Sequence, residues 1–388
     1  MIKFAKRTLP AEFLHIITYG KDVGGRFSRK NQTGGIKLKM GKKVVVMEDF
    51  TVRGTKNMQV FDTLAEKYGA EVKHINVQKY VHSQDEFAEM FLNMEKNGPD
   101  VIQEEDELLT EIQDANIVIS HISAISTKAV NSAKNLEAVC IMRSGVENVN
   151  VPNATERGIK VVNAPGRLAV PVSEFTVGMI LAETRNIARS HQRMQQGNFG
   201  GKFPNADFSI TLKGKKIGLV GCGAVGSRVA KIMKGFEADV LIYDPYMSEE
   251  KIKELGYEPR SLNDLCKESD IVSIHFRLTE ETRGLVGKEQ FDLMKPHCFL
   301  INTARAGLVD EAAMMDALVS HKIGGAALDV FHQEPLGQDN PLLSLDNVTI
   351  TNHLAGTCAG IFDITADIMM NAIEHYFKTG EWINVVNK

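Results

Sequence analysis

The stretch "KKIGLVGCGAVGSRVA" (215–230) decides the fold, because it joins an apolar strand to a helix through a glycine-rich turn. Its glycines follow the spacing GxGxxG. In this motif the first glycine permits a tight turn, the second lets the backbone approach a pyrophosphate, and the third lets helix and strand pack closely. The helix that follows offers free N–H groups to the phosphates. We expect the contacts to come from Gly221, Gly223, Ala224, Val225 and Gly226.

A carboxylate at the end of the next apolar run indicates which dinucleotide is bound. In "VLIYDPY", Asp244 follows Gly226 by 18 residues. A carboxylate in this position accepts hydrogen bonds from the adenosine ribose and repels a 2′-phosphate. The sequence therefore predicts NAD, rather than NADP, as the cofactor.

Apolar runs alternate with helical patterns on both sides of the motif, which predicts parallel sheets covered by helices on both faces. The predicted strands are 43–48, 71–77, 115–120, 136–141, 159–163, 215–220, 239–244, 271–276, 298–303, 324–330 and 348–353. The predicted helices include 56–69, 84–97, 126–134, 170–197 and 358–378.

This alternation predicts an α/β protein of two parallel-sheet domains, both of the Rossmann-like or flavodoxin-like type. A dinucleotide domain would span 165–355. A second, substrate-binding domain would be discontinuous and combine 43–164 with 356–388, because few residues remain after the second sheet ends and the final helix is expected to return to the first domain. Residues 1–42 form a basic extension, with ten Lys and Arg against two acidic residues, so the extension carries +8 and the rest of the chain −12.

Composition narrows the class of protein. The 388 residues are 43% hydrophobic and 24% charged, which is typical of a globular protein, and the net charge of −4 gives no reason to expect nucleic acid or membrane as a partner. Five cysteines without a CxxC pair indicate free thiols in a reducing compartment. We therefore expect a cytoplasmic location, no metal site, and a small molecule as the partner.

Three polar residues fall at the predicted strand ends downstream of the glycine motif. Arg305 follows "CFLINTA", Glu334 lies just past "ALDVFHQ", and His353 closes "VTITNH". Ligands of parallel sheets bind beyond the carboxyl ends of the strands, so we expect these three side chains to share one site.

Four segments resemble the D-isomer-specific 2-hydroxyacid dehydrogenase family, the family of the D-lactate, D-glycerate and D-3-phosphoglycerate dehydrogenases. They are "LVGCGAVG", "INTARAGLVDEAAMMDAL", "GGAALDVFHQEP" and "NVTITNHLAGTC". The resemblance implies a cleft between the two domains. It makes Arg305 the arginine that binds the substrate carboxylate, His353 the acid and base, and Glu334 its partner. It also adds Thr303, Ala304, Asp329 and Gly356 to the cofactor site.

The chemistry of a 2-oxo acid requires the same types of residue. The arginine fork binds carboxylate oxygens with charge-assisted hydrogen bonds. Hydride arriving at C2 creates an alkoxide that needs a proton, which a histidine can supply near neutral pH. A neighbouring carboxylate favours the protonated ring and fixes its orientation.

The segment "MRSGVENVNV" (142–151) is similar to the glycine-rich substrate loop of this family, in which Ser144, Gly145 and Val146 would offer backbone N–H groups. Arg143 stands where glycine is usual. One interpretation is that Arg143 binds a second group of the substrate, which favours a sugar acid, a phosphorylated acid or a dicarboxylate. The other is that Arg143 faces solvent.

Other departures from the family pattern indicate a divergent subgroup, namely Leu168, Arg277, Ala306 and Asn352. Only 35 residues follow His353, so we expect no regulatory domain of the kind found in some phosphoglycerate dehydrogenases. A homodimer through the region of the amphipathic helix 170–197 is implied by the resemblance. Two other functions remain open on the same scaffold, a dinucleotide-sensing co-repressor and a phosphite-type dehydrogenase.

Overall fold

The computed structural model of the protein describes residues 41–78, 81–103, 105–203 and 205–387. Residues 1–40, which make up nearly all of the expected basic extension, lie outside the described residues. Two sheets account for the strands in the described ranges, and every strand pair in them is parallel. The prediction of two parallel-sheet α/β domains is confirmed.

The first sheet has five strands in the order β2-β1-β3-β4-β5. Its central strands are continuous runs of Val, Ile and other apolar residues, as expected for strands that are covered on both faces. The strands are β1 (Lys43–Glu48), β2 (Glu71–Asn76), β3 (Ile117–Ser120), β4 (Ala138–Ile141) and β5 (Lys160–Asn163).

The second sheet has seven strands in the order β12-β11-β10-β9-β6-β7-β8. The strand order reverses at β6, beside which the glycine-rich turn emerges, and such a reversal opens a crevice for a ligand. The strands are β6 (Lys216–Val220), β7 (Asp239–Tyr243), β8 (Glu258–Pro259), β9 (Ile271–Ile274), β10 (Phe299–Asn302), β11 (Gly325–Leu328) and β12 (Val348–Ile350).

Helices cover both faces of each sheet. Those associated with the first sheet are α1 (Lys56–Gln59), α2 (Thr63–Tyr68), α3 (Gln84–Asn97), α4 (Asp106–Glu111), α5 (Thr127–Ser132) and α6 (Val151–Glu156). The chain continues through α7 (Ala169–Thr184), α8 (Ile187–Gln195), α9 (Ala224–Gly235), α10 (Glu249–Glu254), α11 (Leu262–Glu268), α12 (Lys288–Leu293), α13 (Glu311–Val319) and α14 (Ile361–Thr379). None of the helices in the described ranges combines the length and apolar character that a membrane crossing requires.

The last helix, α14, packs against the first sheet although it follows the second sheet in the chain. Met369 and Ile373 are fully buried in the same hydrophobic cluster as Val44 and Ile117. The chain therefore crosses between the two sheets twice, once before α7 and once before α14, and both crossings lie beside the site described below.

The prediction of one long helix over 170–197 is wrong in one respect, because the structure has two helices there, α7 and α8. Asn186 adopts the left-handed conformation, with φ of +55°, between the two helices. The expected amphipathic character is also wrong for α7, which buries polar Thr176 and Glu183 together with apolar side chains, since it contacts α9 and the strands β10 to β12. In contrast, α8 buries none of its residues.

Two boundaries differ from the sequence expectation. Lys42, assigned above to the extension, is only 9% exposed, because its ammonium pairs with Glu137 and lies over the ring of Tyr376. The last strand of the second sheet ends at Ile350, so His353 lies in the loop that follows it and not at the strand end.

A buried ion pair fixes the corner between α7 and α8. The carboxylate of Glu183 is fully buried and accepts two hydrogen bonds of 2.9 Å from Arg189 and one of 2.6 Å from Thr349. Burial raises the pKa of Glu183 even though both partners favour its charged form. Glu183 thus links the corner to β12 through Thr349, at a desolvation cost that its partners offset only in part.

We predict that Arg189→Ala lowers the free energy of unfolding by about 3 to 5 kcal/mol, because it leaves a buried carboxylate without its countercharge. The matched control is Arg193→Ala on the same helix, where Arg193 stacks on Phe203 at the surface and contributes less than about 1 kcal/mol. Urea unfolding followed by circular dichroism measures both. Equal losses in the two variants would contradict the assigned role of the ion pair.

Candidate functional site

The glycine-rich turn after β6 has the geometry that its sequence predicts. Gly221 has φ of +103°, and a Cβ there would lie 3.2 Å from the backbone of His275. A Cβ on Gly226 would overlap the carbonyl oxygen of Gly221, so α9 packs directly against the turn. A Cβ on Gly223 would meet nothing within 4 Å. Gly221 and Gly226 are thus required by the fold, whereas Gly223 borders open space.

This open space fits a pyrophosphate. The first helical residue of α9 is Ala224, and no side chain caps its N-terminus. The first N–H groups of a helix have no partner within it, so those of Ala224 and Val225 are available to phosphate oxygens, aided by the helix dipole.

Asp244 lies directly after β7 and is tied to the glycine-rich turn. Its carboxylate accepts a 2.7 Å hydrogen bond from the N–H of Cys222 and a 2.9 Å hydrogen bond from the N–H of Tyr246. Each carboxylate oxygen keeps further acceptor capacity, which suits the two hydroxyl groups of a ribose.

The turn after β10 carries Arg305 at the surface. Asn302 holds this turn at both ends, because its side chain accepts from the N–H of Ala304 and donates to the carbonyl of Arg305, both at 3.0 Å. The hydroxyl of Thr303 lies 2.7 Å from that of Thr176 on α7 and is buried. Arg305 donates to the carbonyl of Ala304 and remains exposed, so most of its guanidinium is free to meet a ligand.

Asp329, at the end of β11, is fully buried and organises the loop after β12. Its two carboxylate oxygens accept from the hydroxyl of Thr351 at 2.6 Å and from the N–H groups of Leu354 and Ala355 at 2.8 and 2.9 Å. His353 lies between these bonded residues with φ of +56°. The position of His353 is therefore set by a carboxylate that it does not touch.

His353 and Glu334 form a hydrogen-bonded pair. The Nδ1 atom of His353 lies 2.7 Å from Oε2 of Glu334, and Oε1 accepts from the N–H of Phe331 at 2.9 Å. Partial burial raises the pKa of Glu334, but the hydrogen bonds from His353 and Phe331 outweigh it and hold the pKa below its usual value. The charge of Arg305 acts in the same direction, which places all three predicted side chains within electrostatic reach of one another.

The segment predicted to bind the substrate, 142–151, lies beyond the carboxyl end of β4. Its backbone is bonded to the chain after β5, with the N–H of Ala164 donating to the carbonyl of Arg143 at 2.8 Å and the hydroxyl of Ser144 to that of Ala164 at 3.1 Å. The Glu147 carboxylate lies against Gly145, where it would overlap a Cβ. Val146 packs against the buried cluster on one face of the first sheet.

Arg143 does not face solvent, so that interpretation of the sequence is wrong. Only 15% of its side chain is exposed, and its guanidinium lies 4.5 Å from the ring centroid of Phe91. Arg167, in the crossing segment after β5, is close enough to Arg143 to be affected by its charge, and no role for it was predicted from the sequence. The signal that could have identified Arg167 is its place next to Gly166, in the segment that joins the two domains.

The two crossing segments bring the two halves of the site together. A Cβ on Gly166 would lie 3.5 Å from Ala224, at the start of α9, and a Cβ on Gly356 would lie 3.3 Å from Leu168. Gly356 follows His353 by three residues, so the contact with Leu168 brings the first crossing next to the loop that carries His353.

Fold and site together define an α/β protein with a dinucleotide-binding domain and a polar cluster at the carboxyl ends of its strands. Residues 177–355 match the family model described as D-isomer specific 2-hydroxyacid dehydrogenase, NAD binding domain. The chain belongs to the D-isomer specific 2-hydroxyacid dehydrogenase family, and its cofactor is NAD.

The names of similar proteins are consistent with this family. The chain is 37% identical over 278 residues to a hydroxypyruvate reductase of Thermotoga maritima, an alignment that covers 71% of this chain and 88% of the relative. It is 38% identical over 269 residues to a D-3-phosphoglycerate dehydrogenase of Archaeoglobus fulgidus, covering 68% of this chain but only 50% of that relative. The TT0316 protein of Thermus thermophilus has a similar structure, with a TM-score of 0.64, 29% identity, and coverage of 89% of this chain and 99% of that one.

The contrast between two glycines gives a test of the cofactor site. We predict that Gly223→Ala leaves the thermal stability of the cofactor-free protein within the error of the wild type, because a Cβ there meets no atom within 4 Å. The same variant weakens NADH binding at least about tenfold, or about 1.4 kcal/mol, since the methyl group occupies the space next to the phosphates.

Gly226→Ala is the matched comparison, and it lowers the thermal stability because its Cβ overlaps the Gly221 carbonyl oxygen. Thermal unfolding and NADH fluorescence titration measure the two properties separately. Undiminished NADH affinity in Gly223→Ala would show that the pyrophosphate does not lie at this turn.

Proposed function

We propose that the protein interconverts a D-2-hydroxy acid and its 2-oxo acid with NAD. The observation that carries this proposal is the 2.7 Å hydrogen bond between His353 and Glu334, within reach of the Arg305 charge and in the NAD-binding domain. The arrangement combines a proton donor, its supporting carboxylate and a cation for the substrate carboxylate.

Arg305 would bind the carboxylate of the substrate. Its backbone is fixed through Asn302, while its guanidinium has one hydrogen bond, to the carbonyl of Ala304, and is otherwise exposed. A guanidinium has five N–H donors, so it can bind a carboxylate in a bidentate manner and still polarise the neighbouring carbonyl. The N–H groups of Ser144, Gly145 and Val146 would support the same carboxylate from the first domain.

His353 would transfer the proton. NAD, when bound, supplies or accepts the hydride at C2 of the substrate. In the reductive direction His353 gives its Nε2 proton to the forming alkoxide, and in the oxidative direction the neutral ring accepts the hydroxyl proton. The hydrogen bond at Nδ1 leaves Nε2 as the atom that can face the substrate.

Glu334 would stabilise the protonated form of His353 and hold the ring in one orientation. The lowered pKa of Glu334 keeps its carboxylate charged at neutral pH, so the support is present throughout the physiological range. Asp329 would act through the backbone, since its oxygens are taken up by the loop that carries His353.

The substrate class that fits the site is a 2-hydroxy acid with a second polar or charged group, namely a sugar acid, a phosphorylated acid or a dicarboxylate. The enclosed position of Arg143 supports this class over a simple acid such as lactate. Incubation of the protein with NADH and a panel of 2-oxo acids, followed by the loss of reduced-nicotinamide absorbance, tests the proposal. NADH binding without turnover of any 2-oxo acid would instead favour the co-repressor or the phosphite-type dehydrogenase.

For His353→Ala we expect a loss of turnover of about 10²- to 10⁴-fold with unchanged NADH affinity, because the ring transfers a proton and does not bind the cofactor. Steady-state kinetics and NADH titration provide the two readouts. The control is His332→Ala, which removes an exposed imidazole close to Glu334 in the chain. Turnover in His353→Ala within a few-fold of the wild type would remove the histidine from the mechanism.

Glu334→Gln should shift the pH profile of 2-oxo acid reduction towards acid and lower the rate at neutral pH by about tenfold. The amide cannot offset the positive charge of the ring, so the proton-donating form requires a lower pH. The oxidative direction, which uses the neutral ring, should lose less at neutral pH. A profile of unchanged shape in both directions would mean that Glu334 is only structural.

A further inference from the structure

Arg143 lies in an enclosed setting that does not satisfy its charge. Its guanidinium stacks on Phe91 of α3, and its nearest carboxylate, Glu95, is 3.5 Å away, at the limit of a hydrogen bond. Its Nη1 atom is buried and has no hydrogen-bond partner among the described residues. An unpaired buried donor of a charged group is costly, so a partner for it is expected when the site is filled.

Arg167 brings a second positive charge to the same place. It is half-buried, and its Nη1 donates a 3.5 Å hydrogen bond to the hydroxyl of Thr365 on α14. Burial, followed by the charge of Arg143, lowers the pKa of Arg167 to about 10. The two guanidinium groups are therefore close enough to repel each other.

The topology explains why the two arginines meet. β4 and β5 are neighbouring parallel strands with Ile141 paired to Asn163, and Arg143 and Arg167 follow the carboxyl ends of these strands. The hydrogen bond from the N–H of Ala164 to the carbonyl of Arg143 holds the two segments together. Both segments lie at the edge of the first sheet that parallel α/β proteins use for ligands.

We propose that Arg143 and Arg167 together bind a second acidic group of the substrate, a phosphate or a carboxylate distal to the 2-oxo acid. Such an anion pairs with both guanidinium groups at once, removes their mutual repulsion and gives the Nη1 atom of Arg143 an acceptor. The inference rests on the proposed function, because it concerns the other end of the same substrate.

The position of the pair favours the substrate over the cofactor. Arg167 lies between Gly166 and Leu168. Gly166 borders Ala224 and Leu168 borders Gly356, so the pair lies near the loop that carries His353. The side chain of Arg167, however, contacts α14, and the side chain of Arg143 contacts α3. Helix α14 packs against the first sheet and α3 follows strand β2 of that sheet in the chain, whereas the glycine-rich turn belongs to the second sheet.

Two pairs of 2-oxo acids separate the two kinds of anion. Hydroxypyruvate and 3-phosphohydroxypyruvate differ by a phosphate, and pyruvate and oxaloacetate differ by a carboxylate. With NADH in excess, we expect the wild type to have a kcat/KM at least tenfold higher for the member of one pair that carries the additional phosphate or carboxylate. The pair in which this occurs identifies the anion.

Arg143→Ala and Arg167→Ala should each lower kcat/KM at least tenfold more for the acid with the additional anionic group than for its counterpart without that group. The loss should arise mainly from a higher KM. Arg143→Lys and Arg167→Lys should recover part of the loss because they keep the charge. Arg193→Ala is the matched control, since Arg193 also stacks on a phenylalanine but lies on α8, and it should change neither member.

Equal losses of kcat/KM for the acids with and without the additional anionic group, in both alanine variants, would overturn the inference while leaving the proposed function intact. A rise in KM for NADH in place of KM for the acid would also overturn it, because the arginines would then serve the cofactor. If the wild type turns over no 2-oxo acid, the proposed function fails, and a direct binding measurement decides the inference.

That measurement is thermal unfolding of the full chain with inorganic phosphate or malonate. Stabilisation of the wild type by either anion that is lost in both Arg143→Ala and Arg167→Ala supports an anion site at the pair. No stabilisation, or the same stabilisation in the variants, overturns it.

Discussion

The carboxylate of Asp329 is the interaction on which the candidate site depends. It is fully buried at the end of β11 and binds one hydroxyl and two backbone N–H groups of the loop after β12. The loop contains His353 in a left-handed conformation, which costs a residue other than glycine about 1 to 3 kcal/mol. Such a conformation persists only where its surroundings determine it, and three charge-assisted hydrogen bonds, one from Thr351 before His353 and two from Leu354 and Ala355 after it, do so.

The two sheets meet where side chains are small. Gly166 borders Ala224 at the start of α9, and Leu168 borders Gly356 shortly after His353. Gly166 also needs φ of +70°, so this crossing tolerates few other residues. The chain before α7 thereby passes close to both the glycine-rich turn and the loop that carries His353. Arg167 belongs to this crossing, so it lies near residues of the second sheet although it precedes that sheet in the chain.

Much of the fold could be predicted from the sequence because the signals are local. The glycine spacing and the apolar strands depend on neighbours within a few residues, and each parallel strand is one continuous apolar run. Asp244 could be predicted because it closes the next apolar run after the glycine motif. The break at Asn186 could not be predicted in this way. Its helical pattern is continuous, and the corner is fixed by the buried pair of Glu183 with Arg189 and by Thr349, far away in the chain. The role of Asp329 in holding the histidine loop is likewise a contact over more than 20 residues.

The site also divides its tasks between the two sheets. The groups that fit proton transfer, Glu334 and His353, follow strands of the second sheet and are bonded to each other, and Glu334 also accepts from the N–H of Phe331 in the loop after β11. Arg143 and Arg167 follow strands of the first sheet; Arg143 contacts α3, and Arg167 contacts α14, which packs against that sheet. No hydrogen bond among the described residues joins the arginine pair to the histidine pair. Under the proposed function, substitutions among residues of the first sheet would change which acid is accepted without moving His353, so one scaffold could serve acids of different charge.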